Sequence, residues 1–430
     1  MQKSGFGCFF CDYFCYNALM NIFKRATPLS AKTAFIALSM LLFFFSAQVS
    51  LTIYVDSSYI QHSISGTPSL SSMKIWSEPE NTVGTLYTFA SLITLLALFY
   101  APRVLRKHGN YRWTLSLIIL HIILLLGLAM FDSAWLIIPL FVIEAALIST
   151  LYFNFDVFLE RYSSNEKTGV VRGLFLVIGS IAWLLPPFFA GQIVDQYGFQ
   201  PVYLLGALIM VPTIFIIMYW FNGFEDLAYE DVPKLMSLDT KVERDDIKNI
   251  LIVNFFLQFF YSWMIIYFPL YLHDHLGVSF TDIGLITTFA LSAFIIFPYP
   301  LGWLADKLIG EKELLVAGFL IMAGTSALIP ILSEAKVGLL VWTILLFVGR
   351  SGAATVESMS ETFFFKKING RQAGLIGHFR RSRPMAFIAA PILASILLQF
   401  QIVTMVQLFS VLAGIMLIAV YFPLRLVDTK

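Results

Sequence analysis

The sequence is dominated by long apolar runs that are separated by short polar connections. A membrane-spanning helix needs about 20 consecutive, mostly apolar residues, and twelve runs of this kind follow one another along the chain. They lie at approximately 33–55, 82–102, 113–131, 133–155, 170–191, 201–221, 249–272, 281–301, 314–333, 337–358, 374–399 and 402–424. The pattern predicts an all-α polytopic membrane protein with twelve transmembrane helices, numbered here as spans 1 to 12.

Composition supports this prediction and excludes two classes of protein. Hydrophobic residues make up 58% of the chain and charged residues only 13%, whereas a soluble domain has about 45–50% and about 25%. The mean hydropathy of +0.80 excludes a water-exposed globule. The net charge is only +1, which argues against a nucleic-acid partner because such partners attract basic surfaces.

Loop charges give an orientation and a domain plan. If the N-terminus is cytoplasmic, the outer loops hold only Lys74 and Lys336 of the 28 Lys and Arg residues, as the positive-inside rule requires. We therefore expect an integral membrane protein of the plasma (inner) membrane with both termini cytoplasmic. The plan is a cytoplasmic tail, a six-helix bundle, a cytoplasmic central loop, a second six-helix bundle and a C-terminal tail, at 1–32, 33–221, 222–248, 249–424 and 425–430.

The three cysteines do not indicate a disulfide or a metal centre. Cys8, Cys11 and Cys15 all lie in the N-terminal tail, and no fourth ligand is visible nearby. We expect neither a metal nor a cofactor.

The two halves of the chain repeat each other weakly. Aligning Gly84 of span 2 with Gly284 of span 8 also aligns the following Thr-Phe-Ala, and Pro187 of span 5 aligns with Pro391 of span 11. Both prolines are expected to kink their helices. Parallel six-span repeats indicate a transporter with its site between two bundles.

The loop after span 8 resembles the signature of the major facilitator superfamily. In GWLADKLIGEK, Gly302, Asp306 and Gly310 match this signature with one extra residue before the second glycine. Gly302 is expected to allow close helix approach, and Asp306 to accept from the N–H groups that begin a neighbouring helix. The first-half copy, PRVLRKHGNYR, keeps Gly109 but has Arg106 in place of the aspartate.

The resemblance implies two pseudo-symmetric six-helix bundles that rock about a central cavity, with gating loops on the cytoplasmic side. The basic first-half loop either faces acidic residues at the inner end of span 4 or only reflects the positive-inside rule. The candidate gating residues are Arg106, Gly109, Asp156, Gly302, Asp306, Gly310 and Glu361.

Span 5 contains AWLLPPFFAG, which partly resembles the superfamily's antiporter motif, with Pro186 in place of a glycine. The motif in proton-linked drug exporters marks the direction of transport. The same residues also fit a proline kink with small residues that let helices pack closely, so both interpretations stay open.

Two charges stand within apolar spans at equivalent positions of the halves: Glu144 in span 4 and Arg350 in span 10. Such a charge costs at least about 2.5–3.5 kcal/mol. The resemblance implies that both face the central cavity. Our hypothesis is that Glu144 titrates with the transported proton and that Arg350 is its counter-charge or binds an anionic substrate group. The alternative is a fixed structural ion pair.

Further polar residues are candidates for the substrate cavity. Span 11 begins with arginines that either snorkel to the headgroups or form an anion-attracting vestibule. His121 in span 3 is interpreted as a lone packed histidine. The cavity candidates are Gln48, Tyr54, Asn254, Gln258, Tyr261, Arg380, Arg381 and Arg383.

The sequence favours a monomeric secondary active transporter of a small organic solute. No nucleotide-binding loop is present, which argues against an ATP-driven pump, and six scattered histidines do not form an enzyme centre. Proton-coupled efflux of amphipathic compounds is the leading expectation. Proton-coupled uptake of an anionic or zwitterionic metabolite, or flipping of a lipid, stays open. The expected partners are the solute, protons and the lipid bilayer.

Overall fold

The computed structural model describes residues 30–67, 79–162, 168–224, 241–335, 337–367 and 373–427. Helices of the first half are α1 (Ala31–Thr52), α2 (Asp56–Ser65), α3 (Pro79–His108), α4 (Asn110–Met130), α5 (Ala134–Tyr162), α6 (Thr168–Leu184), α7 (Pro186–Tyr197) and α8 (Gln200–Trp220). Those of the second half are α9 (Lys241–Leu270), α10 (Phe280–Leu291), α11 (Ala293–Ile296), α12 (Pro298–Lys307), α13 (Glu311–Glu334), α14 (Leu339–Lys367), α15 (Ala373–Gln399), α16 (Gln407–Ala419) and α17 (Tyr421–Leu424), with a π-helical turn at Tyr271–His275 after α9.

Twelve helical segments in these ranges are long and apolar enough to cross a membrane. The predicted fold class is therefore confirmed. Spans 1 to 4 are α1, α3, α4 and α5, span 5 is α6 with α7, span 6 is α8 and span 7 is α9. Span 8 is α10 to α12, spans 9 to 11 are α13, α14 and α15, and span 12 is α16 with α17.

Three local features differ from the sequence-based expectation. Span 1 ends at Thr52, and a short buried helix, α2, follows it. Helix α9 begins at Lys241, inside the stretch assigned to the central loop, because a charged first turn extends the apolar helix. Span 5 breaks between α6 and α7, where Pro186 supplies no backbone N–H, whereas Pro391 lies within the unbroken helix α15.

The twelve spans alternate in direction, so both ends of the described chain lie on one face. We call it the terminal face, and the other one the opposite face. At the opposite-face side, α7 of the first bundle packs along α10 of the second, and α3 packs along α15. These two helix pairs close the opposite face.

Glycines make the close approach of these helices possible. A Cβ on Gly191 of α7 would clash with the Phe280 carbonyl of α10, and one on Gly284 of α10 would clash with the Pro187 carbonyl of α7. At the other pair, a Cβ on Gly84 would meet Ser395 Oγ and the hydroxyl of Tyr267. The repeat that aligned Gly84 with Gly284 therefore marks two contacts between the bundles.

A carboxylate also joins the bundles at this face. Asp195, near the end of α7, accepts hydrogen bonds from the backbone N–H groups of Phe280 (3.1 Å) and Thr281 (2.7 Å) at the start of α10. It thereby caps a helix of the other bundle, where the helix dipole favours negative charge.

We expect Asp195→Ala to loosen the opposite face, because two N–H groups at the start of α10 lose their acceptor. A capping side chain contributes about 1 kcal/mol, so the ratio of open to closed molecules should rise about fivefold. Labelling of a cysteine introduced at Ser395 would measure this, with Asp132→Ala, an exposed carboxylate on the same face, as the control. Unchanged labelling would show that the cap does not hold the face closed.

Candidate functional site

The centre of the interface between the bundles is aromatic. Tyr54, Ile265 and Leu291 form a small buried cluster, against which Trp183, Phe294 and Phe387 are among the side chains that pack. The cluster collects residues from the link after span 1, from the end of α6 just before the break in span 5, and from spans 7, 8 and 11. Tyr54 therefore contacts the second bundle, and it lies close enough to Arg350 for that charge to act on its hydroxyl.

Arg350 is buried beside this cluster, with 5% of its surface exposed. Its guanidinium lies 5.6 Å from the ring centroid of Tyr261 and 6.0 Å from that of Phe260. It also lines a cavity of about 10 Å³ together with Thr325 and Ser326, which is space for about one water molecule. Within the described residues, no carboxylate lies within ion-pair distance of Arg350.

A column of charged groups continues from Arg350 toward the terminal face along spans 10 and 11. Glu357 Oε2 accepts a 2.8 Å hydrogen bond from the hydroxyl of Tyr261. One turn further, Arg380 Nη1 donates to Glu361 Oε1 at 2.9 Å, and its Nε lies 4.0 Å from Asp156 Oδ2 of span 4. Arg380 therefore reaches from its own bundle toward the other at the terminal face.

Glu144 occupies a separate environment inside the first bundle. It is 1% exposed, its Oε1 has no hydrogen-bond partner, and it lies beside Gln48. Gln48 Oε1 is 2.8 Å from His121 Nε2 of span 3. His121 is packed, as interpreted, with none of its surface exposed, but it is not alone, because its ring contacts the side chain next to Glu144.

Glu144 and Arg350 are not paired in this structure. Neither forms an ion pair with any of the described residues. Glu144 lies next to Gln48 and in the field of Asp56, while Arg350 lies next to Tyr54 and Tyr261. A pair that forms as the bundles rock stays a prediction.

The comparisons with known proteins agree with this architecture. The family model described as Major Facilitator Superfamily matches residues 250–430. A solved structure, titled as a POT family transporter in complex with a thioalcohol-conjugated peptide, is 12% identical with a TM-score of 0.70, covering 91% of this chain and 95% of that chain. No curated protein matches the sequence.

The resemblance to the major facilitator superfamily is confirmed. The match in sequence covers the second bundle, and the likeness in structure covers both bundles and therefore shows the fold of the whole chain. The matched family model is that of a superfamily of transporters.

The superfamily's gating signature is only partly explained by the structure. Gly109 and Gly310, which occupy matching motif positions, have φ values of 77° and 102° just before spans 3 and 9, where only glycine is unstrained. The expectation for Gly302 is wrong, since nothing lies within 4 Å of a Cβ built there. The side chain of Asp306 lies outside the described part, and Arg106 stands in the last turn of α3.

Of the other predicted cavity residues, some bond to protein groups and others keep polar atoms that could contact a solute. Asn254 Nδ2 donates to the Phe379 carbonyl at 3.0 Å, which is an interhelical bond between spans 7 and 11. Gln258 is half-buried and has no hydrogen bond to any of the described residues. Arg383 lies 5.6 Å from the Phe387 ring centroid and close enough to Tyr54 to act on its hydroxyl, while Arg381 is half-buried.

Three residues at or near the site were missed by the sequence analysis. Asp56 begins α2 and is 5% exposed, and its Oδ1 accepts a 2.7 Å hydrogen bond from Tyr203 of span 6. Asp195 was likewise given no role, and Glu357 was interpreted only as a solvated or paired group near the inner end of span 10. The sequence does show that Asp56 directly follows an apolar run. The same pattern is also typical of the first residue of an exposed loop, so it does not indicate a buried carboxylate.

Within the described residues, no group of three or more His, Cys, Asp and Glu side chains is arranged to hold a metal ion. Cys8, Cys11 and Cys15 lie outside these residues.

Proposed function

We propose that the protein is a proton-coupled secondary transporter of small solutes that carry a carboxylate, with zwitterionic, peptide-like solutes as the leading class. The observation that carries this proposal is Arg350, a buried guanidinium at the bundle interface with no carboxylate partner in the described structure. This choice favours the uptake alternative of the sequence analysis over efflux of amphipathic compounds.

Arg350 has the features of an anion-binding group. A buried charge without a partner is costly, and within a membrane such charges mark substrate or ion pathways. A guanidinium binds a carboxylate through two parallel hydrogen bonds, and the rings of Tyr261 and Phe260 hold it in place by cation–π contact. A peptide-like solute that places its carboxylate at Arg350 could direct its ammonium group toward Glu357, seven residues along the same helix.

The solved structure of a POT family transporter supports this substrate class by analogy, because its bound molecule is a thioalcohol-conjugated peptide. The partial antiporter motif of span 5 gives less support to efflux. Its Pro187 and Gly191 contact α10 directly, so close packing between the bundles accounts for the small residues. We propose a monomer in the plasma membrane, with the terminal face cytoplasmic.

Glu144 is the proposed proton carrier. It is buried in an apolar span with no cation beside it in the described structure, so a neutral carboxyl fits this site better than a charged one. Arg350 and the solute neutralise each other in the second bundle, while Glu144 binds its proton in the first. Transport then follows from rocking of the bundles about these two sites.

We expect Glu144→Gln to abolish proton coupling and to retain exchange of the solute. In proteoliposomes that contain a pH-sensitive dye, addition of a dipeptide should acidify the lumen with the wild type and at least tenfold less with the variant, because glutamine binds no proton. Counterflow of labelled dipeptide should persist. Glu334→Gln, an exposed carboxyl at the end of span 9, is the matched control.

The same preparation tests the substrate class. Dipeptides, monocarboxylates and lipophilic cations would be compared as ligands in a thermal-shift assay, since a ligand that binds only the folded state stabilises it. Stabilisation by lipophilic cations alone, with no effect of any carboxylate, would refute the proposal and favour efflux of amphipathic compounds. Stabilisation by phospholipid alone would favour a lipid flippase.

A further inference from the structure

A second buried carboxylate, Asp56, lies in the first bundle at the opposite-face side. It is the first residue of α2, just beyond the end of span 1. Its Oδ1 accepts a hydrogen bond from the hydroxyl of Tyr203, at 2.7 Å. It is 5% exposed, so this helix start is enclosed by protein rather than open to water.

The titratable groups that face Asp56 come from four helices. Tyr203 of span 6 donates a hydrogen bond to it, and Tyr59 lies one turn further along α2. Tyr87 of span 2 and Glu144 of span 4 lie close enough to interact with its charge. From span 7, which also packs against α2, Tyr267 stands next to Tyr87. No cation of the described residues contributes to the field at Asp56.

This environment opposes the charged form of Asp56. Burial raises the pKa of the Asp56 carboxyl from its ordinary value of 3.8 to about 7, although the hydrogen bond from Tyr203 works against the rise. The carboxyl is therefore neutral below about pH 7 and charged above it. Since Glu144 and Asp56 repel each other when both are ionised, the state in which both are charged is disfavoured, and the pair keeps at least one proton.

Unpartnered polar atoms lie along the path from Asp56 into the bundle. The hydroxyl of Tyr87 lies close enough to Asp56 and Glu144 to interact with the charge of either carboxylate, and it has no hydrogen-bond partner in the described structure. The same is true of Glu144 Oε1 and His121 Nδ1. Buried groups of this kind are costly in a purely structural role, which points to a role in holding and passing on a proton.

Asp56 is also linked to the closure of the opposite face. The ring of Tyr203 packs on that of Tyr59 (4.9 Å between centroids), Tyr59 on Phe199 (5.3 Å), and Phe199 on Phe280 of the other bundle (5.4 Å). Separation of α7 and α10 would remove Phe280 from this series of rings. The cover over Asp56 therefore depends on the contact between the bundles.

We infer that Asp56 is a second proton-binding residue of the coupling site, sharing one transported proton with Glu144 and exchanging it with the opposite face when that face opens. This inference rests on the proposed function. In the step, the proton leaves one carboxyl and binds the other carboxylate, so no further reactant is needed. The closed face keeps the proton inside, and the open face releases it to water or takes it up.

The first test is proton coupling in Asp56→Asn. Solute-driven acidification should fall at least tenfold while counterflow persists, and the double variant with Glu144→Gln should be no worse than either single variant, because one shared proton is lost only once. Asp132→Asn, an exposed carboxyl that accepts from Gln200 on the same face, is the matched control. Normal acidification in a folded Asp56→Asn protein would overturn the inference.

The second test needs no transport and so separates the two proposals. Infrared difference spectra of the purified protein should show a protonated carboxyl that titrates near pH 7 and is absent from Asp56→Asn. Tyr203→Phe, which removes only a hydroxyl, should move this midpoint to higher pH, because the lost hydrogen bond stabilised the charged form. A wild type without solute-driven proton flux would refute the proposed function, whereas a band unchanged in both variants would refute the role of Asp56.

Discussion

Alanine at Gly191 or at Gly284 should hold the opposite face open. The added Cβ would lie closer than 3.0 Å to a backbone carbonyl oxygen of the facing helix, a distance that real Cβ atoms essentially never show. Backbone atoms cannot turn away as a flexible side chain can, so α7 and α10 have to separate. Overpacking of this kind costs about 1–3 kcal/mol, which corresponds to a shift of about 5- to 150-fold in the open-to-closed ratio.

A buried cysteine would report this shift. All three native cysteines lie before Met20, so their replacement by serine gives a background without reactive thiols in the spans. Ser395→Cys places a thiol where Ser395 Oγ is buried between the bundles, next to Gly84. We expect an impermeant maleimide to label it at least fivefold faster in either alanine variant, and solute counterflow to fall by at least as much.

Glycines with free space around them are the matched controls. Nothing lies within 4 Å of a Cβ built on Gly324 or Gly414, so alanine there should leave both labelling and transport unchanged. Labelling at the wild-type rate in Gly191→Ala and Gly284→Ala would show that the closed arrangement of α7 and α10 is not visited in the working protein.

The spans could be predicted from the sequence because each depends on its own composition. A run of about 20 apolar residues is stable in a bilayer whatever its neighbours are. The repeat between the halves was also visible, through Gly84, Gly284 and Pro187. What the repeat could not show is that Gly84 and Gly284 contact the other bundle, because contacts between helices leave no periodic pattern along one chain.

The site was predictable only in part, because it too depends on contacts between helices that are distant in the sequence. Glu144 and Arg350 stand out because each is a charge in an apolar run, and the structure shows both as buried. Their neighbours could not be found in this way. His121 was interpreted as a lone packed histidine and yet contacts Gln48, and Asp56 follows an apolar run, where a carboxylate usually meets water. Its burial results from Tyr203 and Glu144, which lie 147 and 88 positions away in the sequence.

Replacement of Arg350 should have opposite effects on stability and on binding. In Arg350→Met we expect the affinity for carboxylate solutes to fall about 10- to 100-fold, since hydrogen bonds to charged groups contribute about 1.5–3 kcal/mol. An amidated solute, which lacks the negative charge, should bind the variant and the wild type about equally. The affinity of Arg350→Lys for carboxylate solutes should lie between those of the wild type and of Arg350→Met, because an ammonium keeps the charge but cannot form the two parallel hydrogen bonds of a guanidinium.

Without solute, the same variant should unfold at a higher temperature than the wild type, because methionine removes a buried charge that has no carboxylate partner in the described structure. A fixed structural pair between Arg350 and Glu144 predicts the reverse, since breaking a buried pair costs about 3–5 kcal/mol. Arg425→Met, which removes an arginine that lies 4.5 Å from the Tyr421 ring centroid near the end of the chain, is the control. The contrary result is an Arg350→Met protein that is less stable than the wild type and still binds the acid more tightly than the amide. That result would show that Arg350 has a structural role at the interface and that the carboxylate of the solute binds another cation, such as Arg383.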